Sequence, residues 1–527
     1  MVMEDLEKPK SFPAPWPLHV ERVETHASWV FLGDQDVFKV KKPVNFGFLD
    51  FSTVEKRRAA CESEVRLNAR LASGVYLGVV PVVRSAEGSL AFGGTGDVVD
   101  WAVHMRRLPN AHRADYLLAE GKLSGGDIDS LAERVASFHA LVRSDEETSA
   151  LGTSSAIRRN VVENFSQTRD VMRQYLSTEE AGEIERWQLA FLAENAPLFD
   201  DRVAAHRVRD GHGDLRLEHV YIGDGGELTI IDCIEFNERF RYADVCADVA
   251  FLSMDLAWHG RVDLAERLLA RYARASGDYD LYAVVDFYES YRAYVRGKVA
   301  TLLAADETAG QEARERAQAE ARRYFLLALA AHRKPLLGAA LVCVGGVIGS
   351  GKSTIAEAIA AEMSAPVVDA DRTRKEMLGV APEMRVHDPA WKGAYDLRFT
   401  EEVYAEVRRR AGVVLGSGRP VVIDASLRSA AERGAMQELA RQHGVPIRFV
   451  ECRADPELCR VRLLRRERES GVSDGRLAIF DDFCARFEPM TEIPAREHVA
   501  VRTSNPLPQT LLEVRAHVQT WPRGLVA

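Results

Sequence analysis

The sequence lacks several features that mark secreted, membrane-bound or disulfide-rich proteins. Its seven cysteines are scattered and include no CxxC pair, which favours buried free thiols in a reducing compartment. No apolar run reaches the length that spans a bilayer. The N-terminus, MVMEDLEKPKSFPAPWP, is charged and proline-rich and has no apolar core of the kind found in a signal peptide. We therefore expect a cytoplasmic protein with no membrane partner.

The chain also has fewer basic than acidic residues. The chain has 69 Lys and Arg against 79 Asp and Glu, a net charge of -10. Because nucleic-acid phosphates favour basic surfaces, a general nucleic-acid binder is not expected, although a short polynucleotide ligand stays open. The 46% apolar and 28% charged residues are typical of a soluble globular protein. At 527 residues the chain is too long for one core, so two or three domains are expected.

The chain divides into two predicted domains near Pro335, where the helix AEARRYFLLALAAHRKP ends. The predicted N-terminal domain, 1–335, begins with strand-like segments and one strong helix and continues largely as helices. In the predicted C-terminal domain, 336–527, helical segments alternate with five β-branched runs: LVCVGG, APVVDAD, PVVIDAS, IRFVECR and HVAVRTS. Such alternation is typical of an α/β domain with a parallel sheet built from βαβ units. The sequence as a whole therefore predicts a multidomain α/β protein.

A phosphate-binding loop is predicted at 346–353, where GVIGSGKS fits the pattern G-x-x-x-x-G-K-[ST] between a strand and the helix TIAEAIAAEM. Glycines let backbone N–H groups turn toward phosphates, and the helix N-terminus adds a partial positive charge. Lys352 is expected to reach the β- and γ-phosphates of ATP and Ser353 to hold Mg²⁺, with Asp424 at the end of VVIDAS in the metal shell. The predicted nucleotide ligands are Gly346, Gly349, Ser350, Gly351, Lys352, Ser353 and Thr354.

Two further segments, VVDADRTRKEM and RVRLLRRER followed by ESGVSDGR, resemble the P-loop small-molecule and polynucleotide kinases, a group that includes gluconate-kinase-like enzymes. The resemblance implies that Asp371 is the base or orienter of the acceptor hydroxyl and that Arg374 contacts the substrate. It also implies that Arg462 and Arg466 belong to a lid that closes over ATP. Two alternatives stay open: Asp371 as a helix N-cap, with Asp369 as a weaker site candidate, and the arginines as a solvated helix face.

The segment GHGDLRLEHVYI at 211–222, together with TIIDCIEF, resembles the aminoglycoside phosphotransferase family, which shares the protein-kinase-like fold. The resemblance implies a two-lobed α+β domain in which Asp214 lies at the acceptor hydroxyl and Asp232 holds Mg²⁺. It extends to ADVCADVAFL, in which Asp248 matches a structural aspartate of the family.

The nucleotide side of this domain is predicted earlier in the chain. WVFLGDQDVFKVKKPV is typical of a β-hairpin. Its Lys39 resembles the strand lysine that pairs with ATP phosphates, although Lys41 lies on the same face and leaves the assignment open. The next segment predicts a helix with Ser52 as its N-cap. On that helix Glu64 is the candidate ion-pair partner of Lys39, with Glu62 as the alternative.

Two departures from the phosphotransferase pattern bear on catalysis. His219 stands where the family has an asparagine that binds metal, and imidazole is a poor ligand for Mg²⁺. One metal site is then weakened, or an oxygen such as that of Glu218 substitutes, or the domain is not catalytic. In addition, no G-x-G-x-x-G loop precedes Lys39.

These patterns favour a fused enzyme with two ATP- and Mg²⁺-dependent phosphotransferase sites for hydroxyl groups of small polar metabolites, such as sugars or aminoglycoside-like molecules. A second hypothesis makes the P-loop domain the only enzyme, regulated by a ligand that binds the N-terminal domain. A third is an ATPase switch with a protein partner, and a polynucleotide 5′-hydroxyl kinase also stays open. The sequence identifies neither the acceptor nor the oligomeric state.

Overall fold

The structure, a computed structural model, describes residues 3–25, 27–45, 47, 49–306, 310–330, 337–386, 388–468 and 472–521. It forms two compact units. The first contains Met1–His259 and Phe287–Ala331, and the second contains Gly260–Asp286 and His332–Ala527. The boundary predicted between 335 and 336 lies outside the described residues and stays a prediction.

In the part of the chain that the structure describes, the strands form four sheets. In chain order they are β1 (Glu21–Glu24), β2 (Ser28–Leu32), β3 (Asp36–Lys41), β4 (Tyr76–Arg84), β5 (Leu90–Phe92), β6 (Asp97–Arg106), β7 (Val208–Asp210), β8 (Val220–Ile222), β9 (Leu228–Ile230), β10 (Tyr242–Asp244), β11 (Leu341–Gly345), β12 (Val367–Asp369), β13 (Val421–Asp424), β14 (Ile447–Arg453) and β15 (His498–Arg502).

The helices range from one turn to more than five. In chain order they are α1 (Val54–Asn68), α2 (Ala114–Ala119), α3 (Gly125–Leu141), α4 (Glu146–Ser149), α5 (Ser154–Thr168), α6 (Thr178–Glu194), α7 (Ala196–Ala204), α8 (Glu238–Arg241), α9 (Val245–Trp258), α10 (Val262–Ser276), α11 (Val285–Ala304), α12 (Gln311–Ala330), α13 (Lys352–Met363), α14 (Ala370–Met377), α15 (Leu397–Gly416), α16 (Ala430–His443), α17 (Pro456–Arg466), α18 (Phe480–Ala485) and α19 (Leu507–Arg515).

The first unit begins with a six-stranded antiparallel sheet in the order β1-β2-β3-β6-β4-β5, and α1 packs against β4 and β6. The predicted hairpin is β2–β3, and Phe31 and Phe38 lie in the core beneath it. The N-cap of α1 is Thr53 rather than the predicted Ser52, because the Thr53 side chain accepts from Lys56 N, whereas the Ser52 hydroxyl donates to Asp50. The rest of the unit is mainly helical, so the predicted two-lobed α+β kinase-like domain is confirmed.

The second unit is built on a five-stranded parallel sheet in the order β12-β13-β11-β14-β15. Each of the five runs that the sequence predicted as strands forms one of them, so the predicted α/β P-loop domain is confirmed. Helices cover the sheet and bury a core that includes Val342, Ile355, Val422 and Val450. Because β11 is central, its carboxyl end places the phosphate-binding loop in the middle of the sheet edge.

The segment Gly260–Asp286 is part of this second unit, although it ends about fifty residues before β11, the first strand of the sheet. Val262 of α10 packs against the core of the sheet, and the Tyr279 hydroxyl donates to Val367 O at 2.6 Å. Glu266 pairs with the buried Arg419 at 2.8 Å. The edge strand β12 is therefore supported by residues from an earlier part of the chain.

Two expectations from composition concern the thiols and the membrane. All seven cysteines are free, and each except the half-buried Cys484 is buried. Within the described ranges, no helix is both long enough and apolar enough to cross a membrane.

Candidate functional sites

The phosphate-binding loop joins β11 to α13 in the second unit. Gly346, Gly349 and Gly351 all have positive φ angles, of 140°, 77° and 88°. At Gly346 a Cβ atom would lie 2.5 Å from Cys452 O, so only glycine fits there. The loop thus takes its curved path because glycine occupies its crowded and left-handed positions, and it ends at the N-terminus of a helix of twelve residues.

Lys352 and Ser353, the first two residues of α13, lie at the mouth of this loop. The Lys352 ammonium donates to Val347 O at 3.0 Å, and Ser353 lies beside the buried carboxylate of Asp424. A magnesium ion at a P-loop takes most of its ligands from phosphates and water. A serine hydroxyl beside a carboxylate is a donor set that fits Mg²⁺, so Ser353 and Asp424 would hold it.

Three carboxylates meet at the ends of β12 and β13. Burial raises the pKa of Asp369 to about 7, and the like charges of Asp424 and Asp371 add to this effect. Asp369, rather than Asp371, is the N-cap of α14, because its side chain accepts from Arg372 N at 2.8 Å. Asp371 is therefore not used as a cap, and it lines the cleft.

The raised pKa of Asp369 predicts a pH-dependent cost to stability. Its ordinary value is 3.8, so the folded protein holds the proton more tightly than the unfolded chain. The resulting stability is present below pH 4 and is lost as the pH rises through about 7. Asparagine caps a helix as well as aspartate but carries no charge. We expect Asp369→Asn to stabilise the protein at pH 8 by roughly 2–4 kcal/mol more than at pH 5, measured by thermal unfolding. Equal shifts of Tm at both pH values would contradict this.

These groups line an open cleft in the second unit. One side is the phosphate-binding loop, and the other is formed by α14, by the segment around Trp391 and by α15, α16 and α18. Lining residues from both sides include Lys352, Ser353, Asp371, Arg374, Trp391, Tyr395, Thr400, Asp424, Arg428, Arg466 and Phe483.

The three predicted arginines lie in different environments. Arg374 lines the cleft but is buried, and it donates to Ala394 O at 2.5 Å and stacks on Tyr395 at 4.8 Å. Arg462 donates to Thr503 O at 2.6 Å and reaches Gly349 O at 3.4 Å, so it ties the phosphate-binding loop to the end of β15. Arg466 faces the cleft. Part of the predicted lid, 469–471, lies outside the described residues.

In the first unit, Lys39 on β3 lies between two carboxylates. Its Nζ atom is 2.9 Å from Glu64 and 2.6 Å from Asp232. Lys41 pairs with the other oxygen of Glu64 at 2.5 Å and with Glu235. Burial would lower the pKa of Lys39, but the charges of Asp232 and Glu64 outweigh burial and raise it well above its usual value. The structure therefore brings together Lys39, Glu64 and Asp232, and it places Lys41 beside them.

Asp214 is held by a residue that the sequence did not indicate. Arg216 donates to both of its carboxylate oxygens, at 3.0 Å each. Burial alone would raise the pKa of Asp214, but the charge of Arg216 and its hydrogen bonds outweigh burial and lower the pKa below its usual range. In this arrangement the predicted acceptor-facing aspartate is already paired.

His219 does not fit the magnesium role that its position implied. Its Nδ1 atom lies 2.8 Å from Asp214 O, which can only accept, so Nδ1 donates. Its Nε2 atom lies 3.4 Å from Arg216 Nη2, a donor. With both ring nitrogens engaged, the oxygen ligands left for Mg²⁺ are Asp232 and Glu218, whose side chains are each 41% exposed. Among the residues described, no group of three or more His, Cys, Asp or Glu is arranged to hold a metal.

Asp248 holds the loop that carries Asp214. Its carboxylate accepts from His212 N at 2.7 Å and from Gly213 N at 2.8 Å, and it contacts His139 at 3.3 Å. All of these groups are buried. The loop geometry therefore depends on one aspartate of α9, in the structural position that the resemblance implied.

Comparisons with known proteins agree with this arrangement. Residues 38–288 match the phosphotransferase enzyme family, and residues 341–490 match a family described as AAA domain. The protein Rv2004c of Mycobacterium tuberculosis strain H37Rv is 33% identical over 467 residues, which cover 88% of this chain and 89% of that protein.

Two solved kinases resemble single parts of the chain. A gluconokinase from Sinorhizobium meliloti 1021 is 24% identical and covers 34% of this chain and 90% of its own, with a TM-score of 0.25. A choline/ethanolamine kinase family protein from Mesorhizobium loti is 15% identical and covers 63% of this chain and 99% of its own, with a TM-score of 0.36.

Proposed function

Because the chain belongs to the same family as the mycobacterial protein Rv2004c, and is a kinase that joins an aminoglycoside phosphotransferase-like domain to a P-loop kinase-like domain, we propose that its P-loop unit phosphorylates a hydroxyl group of a small polar metabolite. The phosphoryl donor is ATP. The observation that carries the proposal is that Asp371, which is not used as a cap, lines the same cleft as Lys352 and Ser353.

Each of these groups has a role in the proposed transfer. Backbone N–H groups of the phosphate-binding loop and the Lys352 ammonium hold the ATP phosphates. Asp371 orients the acceptor hydroxyl and accepts its proton as the new O–P bond forms and ADP leaves. Mg²⁺, when bound at Ser353 and Asp424, supplies positive charge to the phosphates. Arg466 faces the same cleft and is suited to neutralise charge during transfer.

In the first unit we propose a second nucleotide site of the kinase type, in which Lys39 binds the phosphates and Asp232 binds Mg²⁺.

The Arg216–Asp214 pair supports a second candidate function for this unit, in which a bound ligand regulates the P-loop enzyme. An aspartate held at both oxygens is a poor proton acceptor, because its negative charge is already neutralised. We also propose that the protein is cytoplasmic.

Two isosteric variants test where the chemistry occurs. ATP would be supplied with a pooled library of sugars, aminoglycosides, nucleosides and short RNA, and products would be identified by mass spectrometry. We expect Asp371→Asn to lose the main product and Asp214→Asn to keep it. Loss of separate products in the two variants would instead establish two kinases. Product loss only in Asp214→Asn would contradict the proposal, and ATP hydrolysis without any product would favour the ATPase switch.

A further inference from the structure

The end of the cleft that faces Asp371 carries an aromatic surface with two arginines on it. Trp391 stacks on Phe483 with a centroid distance of 4.7 Å. The guanidinium carbon of Arg428 lies 4.4 Å from the Trp391 ring centroid, and that of Arg486 lies 4.1 Å from it. Trp391, Phe483 and Arg428 line the cleft together with Asp371.

The backbone at Trp391 is strained. Its φ angle is 62°, a left-handed conformation that a bulky residue rarely adopts and that costs on the order of 1–3 kcal/mol. Such strain persists where the surrounding structure fixes it, and it is concentrated at ligand clamps and active sites. The indole is therefore held at the cleft at an energetic cost.

Among the described residues, neither arginine of this surface donates a side-chain hydrogen bond to a carboxylate. Arg428 forms a loose ion pair with Glu432, whose carboxylate lies 3.7 Å from the Arg428 Nε atom, beyond hydrogen-bond distance. Arg486 is exposed, and within the described parts of the chain no carboxylate pairs with it. A guanidinium that lies on an aromatic ring keeps its N–H edge available for two parallel hydrogen bonds to an oxyanion. Arg374 of the same cleft differs, because it donates to Ala394 O and Thr400.

We infer that the acceptor carries an anionic group, a carboxylate or a phosphate, and that Arg428, which lines the cleft, binds this group together with Arg486, which lies against the same Trp391 ring. The inference rests on the proposed transfer at the P-loop and adds the substrate class. The carboxylate of Asp371 also lines the cleft, so an anionic group is held at the arginines rather than beside Asp371. A neutral sugar would leave Arg428 with only the loose ion pair to Glu432 as a counter-charge among the described residues.

Matched acceptors and variants test this. Polyols would be offered in three forms: neutral alditols, the corresponding aldonic acids, and alditol phosphates. We expect turnover of one or both anionic forms, and the preferred form identifies the source of the charge. Arg428→Gln and Arg486→Gln should each raise KM for that acceptor about 10–100-fold and leave KM for ATP within about twofold. Arg428→Lys keeps the charge but loses the geometry for two parallel hydrogen bonds, so its KM for that acceptor should lie between those of the wild type and Arg428→Gln.

Arg398→Gln provides the matched control, since Arg398 is an exposed arginine on α15 whose contact is Glu402 at 3.4 Å. Its KM values should equal those of the wild type. A neutral acceptor preferred by the wild type, or an acceptor KM unchanged in both Arg428→Gln and Arg486→Gln, would overturn the inference.

A binding measurement separates failure of this inference from failure of the proposed function. If the wild type phosphorylates no acceptor, the proposed function fails. The protein would then be saturated with Mg²⁺ and a non-hydrolysable ATP analogue and titrated with inorganic phosphate by calorimetry. Binding that is lost in Arg428→Gln and kept in Arg398→Gln supports the anion site. Equal binding in all proteins, or none in the wild type, overturns it.

Discussion

Lys352→Ala is expected to lower kcat for phosphoryl transfer by about 10²–10³-fold, because it removes the positive charge closest to the transferring group. Stability should change little. Among the described residues, the Lys352 ammonium makes one hydrogen bond, to Val347 O, whose loss costs about 1 kcal/mol. Rates would be measured by ADP release and by product mass spectrometry, and stability by thermal unfolding.

Lys392→Ala is the control for this variant, because Lys392 is an exposed lysine next to the cleft residue Trp391. Its kcat should stay within about twofold of the wild type, in line with the small effects of surface substitutions. A Lys352→Ala protein that keeps more than about a third of the wild-type kcat would place phosphoryl transfer outside the P-loop.

The sequence predicted the P-loop unit well because its signals are local. Strand β11, the glycine loop and helix α13 follow one another without interruption, so spacing alone identifies their arrangement. The strand lysine shows the limit of such reasoning. A period of two places Lys39 and Lys41 on one face, and both do contact Glu64. Only the fold shows that Lys39 also reaches Asp232, since Asp232 lies 193 positions away.

The features that the sequence did not reveal depend on single-residue shifts or distant partners. Which aspartate caps α14 depends on where β12 ends, and a difference of two positions separates Asp369 from Asp371. Arg216 pairs with Asp214 two positions earlier, and no periodic pattern indicates this pairing. Glu266 pairs with a residue 153 positions later, so nothing local shows that Gly260–Asp286 packs with the P-loop unit.

Asp248→Ala is expected to cause the largest loss of stability, roughly 3–5 kcal/mol in the free energy of unfolding. Two buried N–H groups, of His212 and Gly213, would lose their acceptor, and His139 would lose its partner carboxylate. Each buried donor left without an acceptor costs about 1–3 kcal/mol. Urea unfolding followed by circular dichroism measures the loss, and hydrogen exchange of peptides covering 211–222 shows whether it begins at this loop.

Asp200→Ala is the matched control, because Asp200 is an exposed aspartate on α7, and it should change stability by less than about 0.5 kcal/mol. The loss of stability in Asp248→Asn should lie between those of Asp248→Ala and Asp200→Ala. The amide oxygen of the asparagine can still accept from one N–H group, but its NH₂ group faces a second donor. Slow exchange at 211–222 in Asp248→Ala would contradict the assigned role. In that case the loop that carries Asp214 would be held by its β7–β10 and β8–β9 neighbours rather than by the α9 carboxylate.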